Sequence, residues 1–123
     1  MKLRFRKNSL RLRVNQLEVE TLAAGSGLRE QVHFPGGASL AYVLDLASGP
    51  TASARLENNT IHVSLPAQDV RQWAANEDIG LYLEFPAKEE PLRVAIEKDL
   101  VCIDGPEEER DPAAFPRMAP SNC

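Results

Sequence analysis

The chain is poor in the features that mark several common protein classes. Its 123 residues include two cysteines, Cys102 and Cys123, which are too few for a disulfide scaffold. No apolar run approaches the length of a membrane-spanning helix, and no apolar block follows the basic start as in a secretory signal. We therefore expect a cytoplasmic protein without a membrane partner.

Motifs for common chemistries are also missing. Gly36-Gly37 lacks the lysine and the spacing of a phosphate-binding loop, and Gly25-Ser26-Gly27 is too short for a nucleophile elbow. His33 and His62 have no second metal ligand at helical spacing. Cys102 follows Leu100-Val101, which predicts a buried small hydrophobe and not a reactive thiol. We expect no cofactor and no metal.

Charge is distributed unevenly along the chain. The net charge is −4, yet residues 2–13 hold six basic side chains and no acidic one. Residues 104–123 combine glutamates with prolines, which predicts an acidic, mobile tail after a single domain of residues 1–103. An isoelectric point near 5.2 argues against a nucleic-acid binder.

An internal repeat is the strongest signal in the sequence. Residues 2–35 align with residues 53–86 without a gap and share seven identities in 34 pairs, where composition alone gives about two. With one further residue in the loop the match continues, so the repeats are residues 2–46 and 53–98. A duplication explains this better than two independent units with similar patterning.

Each repeat predicts two strands, a helix and two more strands. Leu3 and Phe5 alternate with basic residues, which is typical of a half-buried strand. Asn15 and Glu18 form a capping-box pattern before a helix, and Gly25 follows where the helix would end. In the second repeat Trp73 belongs to the apolar stripe of the corresponding helix, where we expect it to be buried.

These elements predict an α+β fold. Two duplicated ββαββ units would form one largely antiparallel, eight-stranded sheet, with two short helices on its apolar face. The alternative is a sheet that curls until it closes into a barrel, which would remove its edges.

The polar side of the predicted sheet carries the main functional signal. Arginine presents a planar fork that fits phosphate or carboxylate oxygens. The other interpretation of this side is cross-strand pairing of arginines with Glu57, Glu84 and Glu97 on a solvated surface. The anion-binding candidates are Arg4, Arg6, Arg11, Arg13, Arg55 and Arg93.

The duplicated architecture with a charged interior resembles the CYTH-type triphosphate tunnel fold. That resemblance implies glutamates and a lysine on the first strand, holding divalent metal and phosphate. Here the first strand reads Lys2-Leu3-Arg4-Phe5-Arg6, with no acid. The Glu18-Val19-Glu20 motif falls on the predicted helix, so the resemblance covers the architecture alone.

The opening Lys2-Leu3-Arg4-Phe5-Arg6-Lys7-Asn8-Ser9-Leu10-Arg11-Leu12-Arg13 carries a closer resemblance. The segments Ile96-Glu97-Lys98-Asp99-Leu100-Val101-Cys102 and Ala114-Phe115-Pro116 extend it. Together they resemble a family of short, uncharacterised bacterial proteins, with a domain of unknown function. That resemblance implies a bacterial origin and no particular activity.

We therefore expect a non-enzymatic binding protein whose arginine-rich sheet face takes an anionic small molecule or an acidic protein segment. One alternative is a CYTH-like phosphohydrolase acting on a phosphorylated small molecule, for which Glu57, Glu84 and Glu97 would have to converge. The other is a protein-interaction module that uses an exposed sheet edge.

Overall fold

The computed structural model describes residues 1–100 and 113–115. The predicted tail of residues 104–123 lies outside the described residues except for Ala113–Phe115, and Cys102 lies outside them altogether. Within them the elements follow the order ββαββ twice. They are β1 (Lys2–Arg6), β2 (Ser9–Val14), α1 (Gln16–Ala23), β3 (Leu28–His33), β4 (Ser39–Leu46), β5 (Ser53–Glu57), β6 (Thr60–Leu65), α2 (Ala67–Ala75), β7 (Gly80–Phe85) and β8 (Leu92–Lys98).

The strands form two four-stranded sheets. The first sheet has the order β1-β2-β8-β7, and the second has the order β3-β4-β6-β5. In each sheet the two inner strands are parallel and each outer strand is antiparallel to its neighbour. The α+β class is confirmed, but the expectation of one eight-stranded sheet is wrong.

Neither sheet closes on itself within the described residues, so the barrel alternative is also wrong. Strand alternation shows which side a residue faces but not which strand lies next to it. The edge strand β1 exposes Lys2, Arg4 and Arg6.

The chain forms two compact units. One comprises Met1 with residues 20–78 and contains the second sheet. The other comprises residues 2–19 and the described residues from 79 onward, and it contains the first sheet. The boundaries cut across both repeats, since each sheet combines one hairpin from the first repeat with one from the second.

Local signals in the sequence correspond to the observed elements. Asn15 Oδ1 accepts a hydrogen bond from the Glu18 N–H at 2.9 Å, and Glu18 Oε1 accepts one from the Asn15 N–H at 3.0 Å. This capping box begins α1 as predicted. Gly25, with φ of 98°, follows the helix in the left-handed conformation that favours glycine.

The inner strands provide most of the apolar core. In the first sheet β2 alternates buried leucines and valine with half-buried polar residues, and β6 does the same in the second. In the unit of the second sheet, Trp73 of α2 and Leu22 of α1 are fully buried. The prediction that Trp73 is a core residue is confirmed.

The registers of the two sheets follow one pattern at their inner strands. In the first sheet Ser9 pairs with Arg93. Adding 51 to the residue number on β2 gives Thr60, and subtracting 52 from the residue number on β8 gives Ala41. These two residues form the corresponding pair of the second sheet. The outer strands β3 and β7 depart from this offset by two residues. An even shift keeps every side chain on its original face.

Candidate functional site

The polar side of the first sheet, called here the basic face, carries a concentration of basic side chains. The strand registers arrange its residues in three rows across the sheet. The rows are Lys2, Arg13, Glu97 and Gly80; then Arg4, Arg11, Ala95 and Tyr82; then Arg6, Ser9, Arg93 and Glu84. The face thus holds six basic and two acidic residues.

Glu97 is the central acid of the basic face. Its Oε1 lies 3.0 Å from Arg11 Nε and 3.9 Å from Arg13 Nε. Its Oε2 accepts a hydrogen bond of 2.8 Å from the Tyr82 hydroxyl. Because only 13% of the Glu97 side chain is exposed, these contacts are less screened than those of a surface carboxylate. One carboxylate therefore has two arginines as partners.

Tyr82 reaches Glu97 because the residue two positions before it is a glycine. A Cβ atom on Gly80 would lie 2.9 Å from the Tyr82 ring, so only glycine leaves room for that ring. Partial burial raises the pKa of the Tyr82 hydroxyl, and the hydrogen bond and charge of Glu97 raise it further; Arg11 acts in the opposite direction. Tyr82 is thus a hydrogen-bond donor at neutral pH.

Two further basic residues of the face have acidic partners. Arg93 Nε lies 3.4 Å from Glu84 Oε1, with both side chains exposed. Lys2 Nζ lies 2.8 Å from Oδ2 of Asp99, a buried residue just after β8. Asp99 is not among the site residues predicted from the sequence; the signal for it is its place directly after the alternating strand β8.

Arg4 and Arg6 differ from their neighbours. Both side chains are exposed on β1, and neither forms an ion pair with any residue that the structure describes. Arg4 lies directly opposite Arg11 in the register of β1 and β2. This part of the face therefore has an excess of positive charge. Like charges directly opposite each other destabilise a sheet, so the excess costs stability.

An open depression of about 480 Å³ lies on the same sheet. The polar side chains that line it are Ser9, Arg11, Tyr82, Glu84 and Arg93. Ala95 contributes a small side chain to its lining. The lining of the depression thus includes two guanidinium groups, two hydroxyls, one carboxylate and one aromatic ring.

The structure places Arg55 in the second sheet, apart from the other five candidates. Arg55 lies opposite His62, and its Nη2 donates a 2.9 Å hydrogen bond to His62 Nδ1. His62 Nε2 lies 2.8 Å from Asp45 Oδ2, and Ser64 Oγ donates to Asp45 Oδ1 at 2.6 Å. Arg55 Nε is also 3.8 Å from Glu57.

This Arg55–His62–Asp45–Ser64 array fixes the tautomer of the imidazole. Arginine can only donate, so His62 Nδ1 is the acceptor and Nε2–H donates to Asp45. Ser64 donates to Asp45 and not to the histidine, so the array does not prepare a serine nucleophile. The array is not predicted from the sequence, where His62 has no second metal ligand at helical spacing; the signal for it is the alternation of His62 with Ser64 on β6.

Metal chemistry has no ready set of ligands among residues 1–100 and 113–115. No group of three or more His, Cys, Asp or Glu side chains in that part of the chain could hold a metal ion. Glu84 and Glu97 pair with arginines of the first sheet, whereas Glu57 belongs to the second. The convergence that the phosphohydrolase alternative requires is not seen within either sheet.

Comparison with known families assigns the chain to one of them. Residues 1–118 match the model of a family of unknown function, DUF7009. The chain belongs to the DUF7009 family. The predicted resemblance to a family of unknown function is thereby confirmed, and it extends over nearly the whole sequence. None of the curated proteins or solved structures compared with the chain matches it.

The helices of this DUF7009 member are short. Within the described part of the chain, no helix has the length and apolar character needed to cross a membrane.

Proposed function

We propose that the basic face of the first sheet binds an anionic ligand or an acidic protein segment, and that the protein is a binding module and not an enzyme. The observation that carries the proposal is the pair Arg4 and Arg6, which are exposed, adjacent on one face and without an acidic partner among the described residues. Guanidinium groups bind phosphate and carboxylate oxygens through paired hydrogen bonds.

The charges around this pair favour an anion. Arg4 lies across from Arg11, and Lys2 lies across from Arg13. Glu97 neutralises part of this charge but lies near Arg11 and Arg13, two strands away from Arg4. A bound anion between Arg4, Arg6 and Arg11 would relieve the repulsion that the fold itself leaves in place.

We also infer that the two repeats arose by duplication. The inner-strand registers support this, since the offset that aligns the sequences also converts the pairs of one sheet into those of the other. The second sheet then provides an internal reference for the first. The second sheet has the same strand pattern and carries the Arg55–His62–Asp45 array, in which the charges of Arg55 and Asp45 cancel. The strand pattern therefore does not require six basic side chains on its polar face in order to fold.

A thermal-shift titration tests the proposal. Inorganic phosphate, triphosphate and an acidic peptide should each be added at low ionic strength. A ligand at 100 times its Kd stabilises the folded state by about 2.7 kcal/mol. Sodium chloride should weaken the effect because it screens exposed charges.

Matched variants identify the site. Arg4→Gln with Arg6→Gln should abolish the shift, whereas Arg71→Gln with Lys88→Gln should leave it intact. The control pair lies outside the sheets, is exposed and removes the same charge. An equal loss of the thermal shift in both double variants would mean that the anions respond to the net charge of the protein and not to a site at Arg4 and Arg6. No shift with any of the three anions would refute the proposal.

A further inference from the structure

The basic face ends at an open strand edge, and this limits the shape of its partner. Strand β1 pairs with β2 on one side, and no described strand pairs with its other side. Alternate N–H and C=O groups of an edge strand point away from the sheet, where an extended peptide can pair with them. Arg4, Phe5 and Arg6 are exposed along this edge.

The side chains of β1 differ on its two faces. Lys2, Arg4 and Arg6 lie on the basic face, and Leu3 and Phe5 lie on the other. Phe5 keeps 58% of its surface exposed, an unusual amount for a phenylalanine on the apolar side of a sheet. A strand added beside β1 would place its own alternate residues within about 5 Å of these side chains.

We propose that the edge of β1 binds an extended peptide in which acidic and apolar residues alternate. The acidic residues would lie beside Arg4 and Arg6, and the apolar residues would cover Phe5. This inference rests on the proposed anion affinity of the basic face and names its partner as a protein segment in strand conformation.

The corresponding edge of the second sheet does not offer the same surface. On β5 the equivalent residues are Arg55 and Glu57, which carry opposite charges and lie 3.8 Å apart. Arg55 also donates to His62. Leu56 is 70% exposed, like Phe5, so apolar exposure is common to both edges while unpaired positive charge distinguishes β1.

Calorimetry with two capped peptides of equal composition tests the inference. In one peptide glutamate and valine alternate, and in the other the same residues form two blocks. The alternating peptide should bind about tenfold more tightly or better, because it alone matches both faces while pairing with the edge. Methylation of its backbone nitrogens on the pairing side should remove this advantage without changing its charge.

Charge reversal gives a gain-of-binding test. Arg4→Glu with Arg6→Glu should weaken binding of the alternating Glu-Val peptide and should create affinity for an alternating Lys-Val peptide. Arg71→Glu with Lys88→Glu, which has the same net charge, should do neither. Amide signals of β1 should shift in NMR spectra on binding, and those of β5 should stay in place.

The outcomes separate this inference from the function on which it rests. If triphosphate binds through Arg4 and Arg6 but the two peptides bind equally, strand pairing is refuted and the anion site stands. If neither peptides nor phosphates bind, both proposals fail. If β1 signals instead broaden with protein concentration alone, a second copy of the chain occupies the edge, and the peptide assignment is wrong.

Discussion

The polar faces of the two sheets differ in charge although their strands follow the same order. On the first sheet Glu97 faces Arg11 and Arg13, and Arg4 and Arg6 add charge without an acid. On the second sheet the corresponding acid is Asp45, which accepts from a histidine and a serine. The comparison indicates that strand order determines where the central acid lies, while the surrounding residues determine the net charge.

A glycine accompanies the central acid in both sheets. Gly80 pairs with Glu97 in the register of β7 and β8. A Cβ atom on Gly27 would lie 3.3 Å from the Asp45 Cβ, so Gly27 has a corresponding position. In the first sheet the space holds the Tyr82 ring; in the second the acid is reached by short or planar donors from β6. The two sheets therefore share a glycine beside the central acid, whereas the excess of arginine is found on the first sheet.

The largest effect on stability should come from the apolar core, because both sheets depend on buried side chains whatever the charge of their polar faces. Trp73→Ala should lower the free energy of unfolding by about 3–5 kcal/mol, because Trp73 is fully buried and its truncation leaves a cavity. Chemical denaturation measures this. Leu56→Ala, at an exposed position, is the control and should change stability by about 0.5 kcal/mol or less. A loss below about 1 kcal/mol for Trp73→Ala would contradict the assigned core.

A smaller effect should distinguish the two central acids. Glu97→Gln removes the acid that Arg11 and Arg13 share, so anion affinity of the basic face should rise by about 0.5–1 kcal/mol, or roughly two- to fivefold. Asp45→Asn is the matched control in the second sheet and should leave that affinity unchanged. Titration of triphosphate against both variants tests the difference. Equal triphosphate affinities in the two variants would show that Glu97 does not lower the anion affinity of the basic face.

Sequence patterns predicted the local structure well. The capping box at Asn15 and the helix end at Gly25 depend on residues close together in the chain. Alternation likewise placed Arg11 and Arg13 on the polar side of β2, since period two follows from strand geometry. These features need no knowledge of the rest of the molecule.

The partners of the strands could not be predicted in the same way. Pairing of β2 with β8 joins residues more than 80 positions apart, and alternation carries no information about such a neighbour. For this reason Arg55 was grouped with Arg4, although the two belong to different sheets. The acidic partners of Arg11 and Lys2 depend on similarly distant contacts, whereas Glu84 meets Arg93 across the local β7–β8 hairpin.

The smallest expected effect concerns Tyr82 at alkaline pH. Burial and Glu97 raise the pKa of Tyr82 above the usual value near 10, which the unfolded chain retains. The folded state therefore holds the phenol proton more tightly, and the resulting stability is fully present below pH 10 and lost as pH rises through the folded pKa. In Tyr42→Phe, whose remaining tyrosine is Tyr82, tyrosinate absorbance should appear at a higher pH in the folded protein than in the unfolded chain. Glu97→Gln should lower the pKa of Tyr82 because the negative charge beside the phenol is gone. An unchanged late titration in Glu97→Gln would mean that burial alone holds the proton, and the contact between Tyr82 and Glu97 would then contribute nothing to the difference between the two faces.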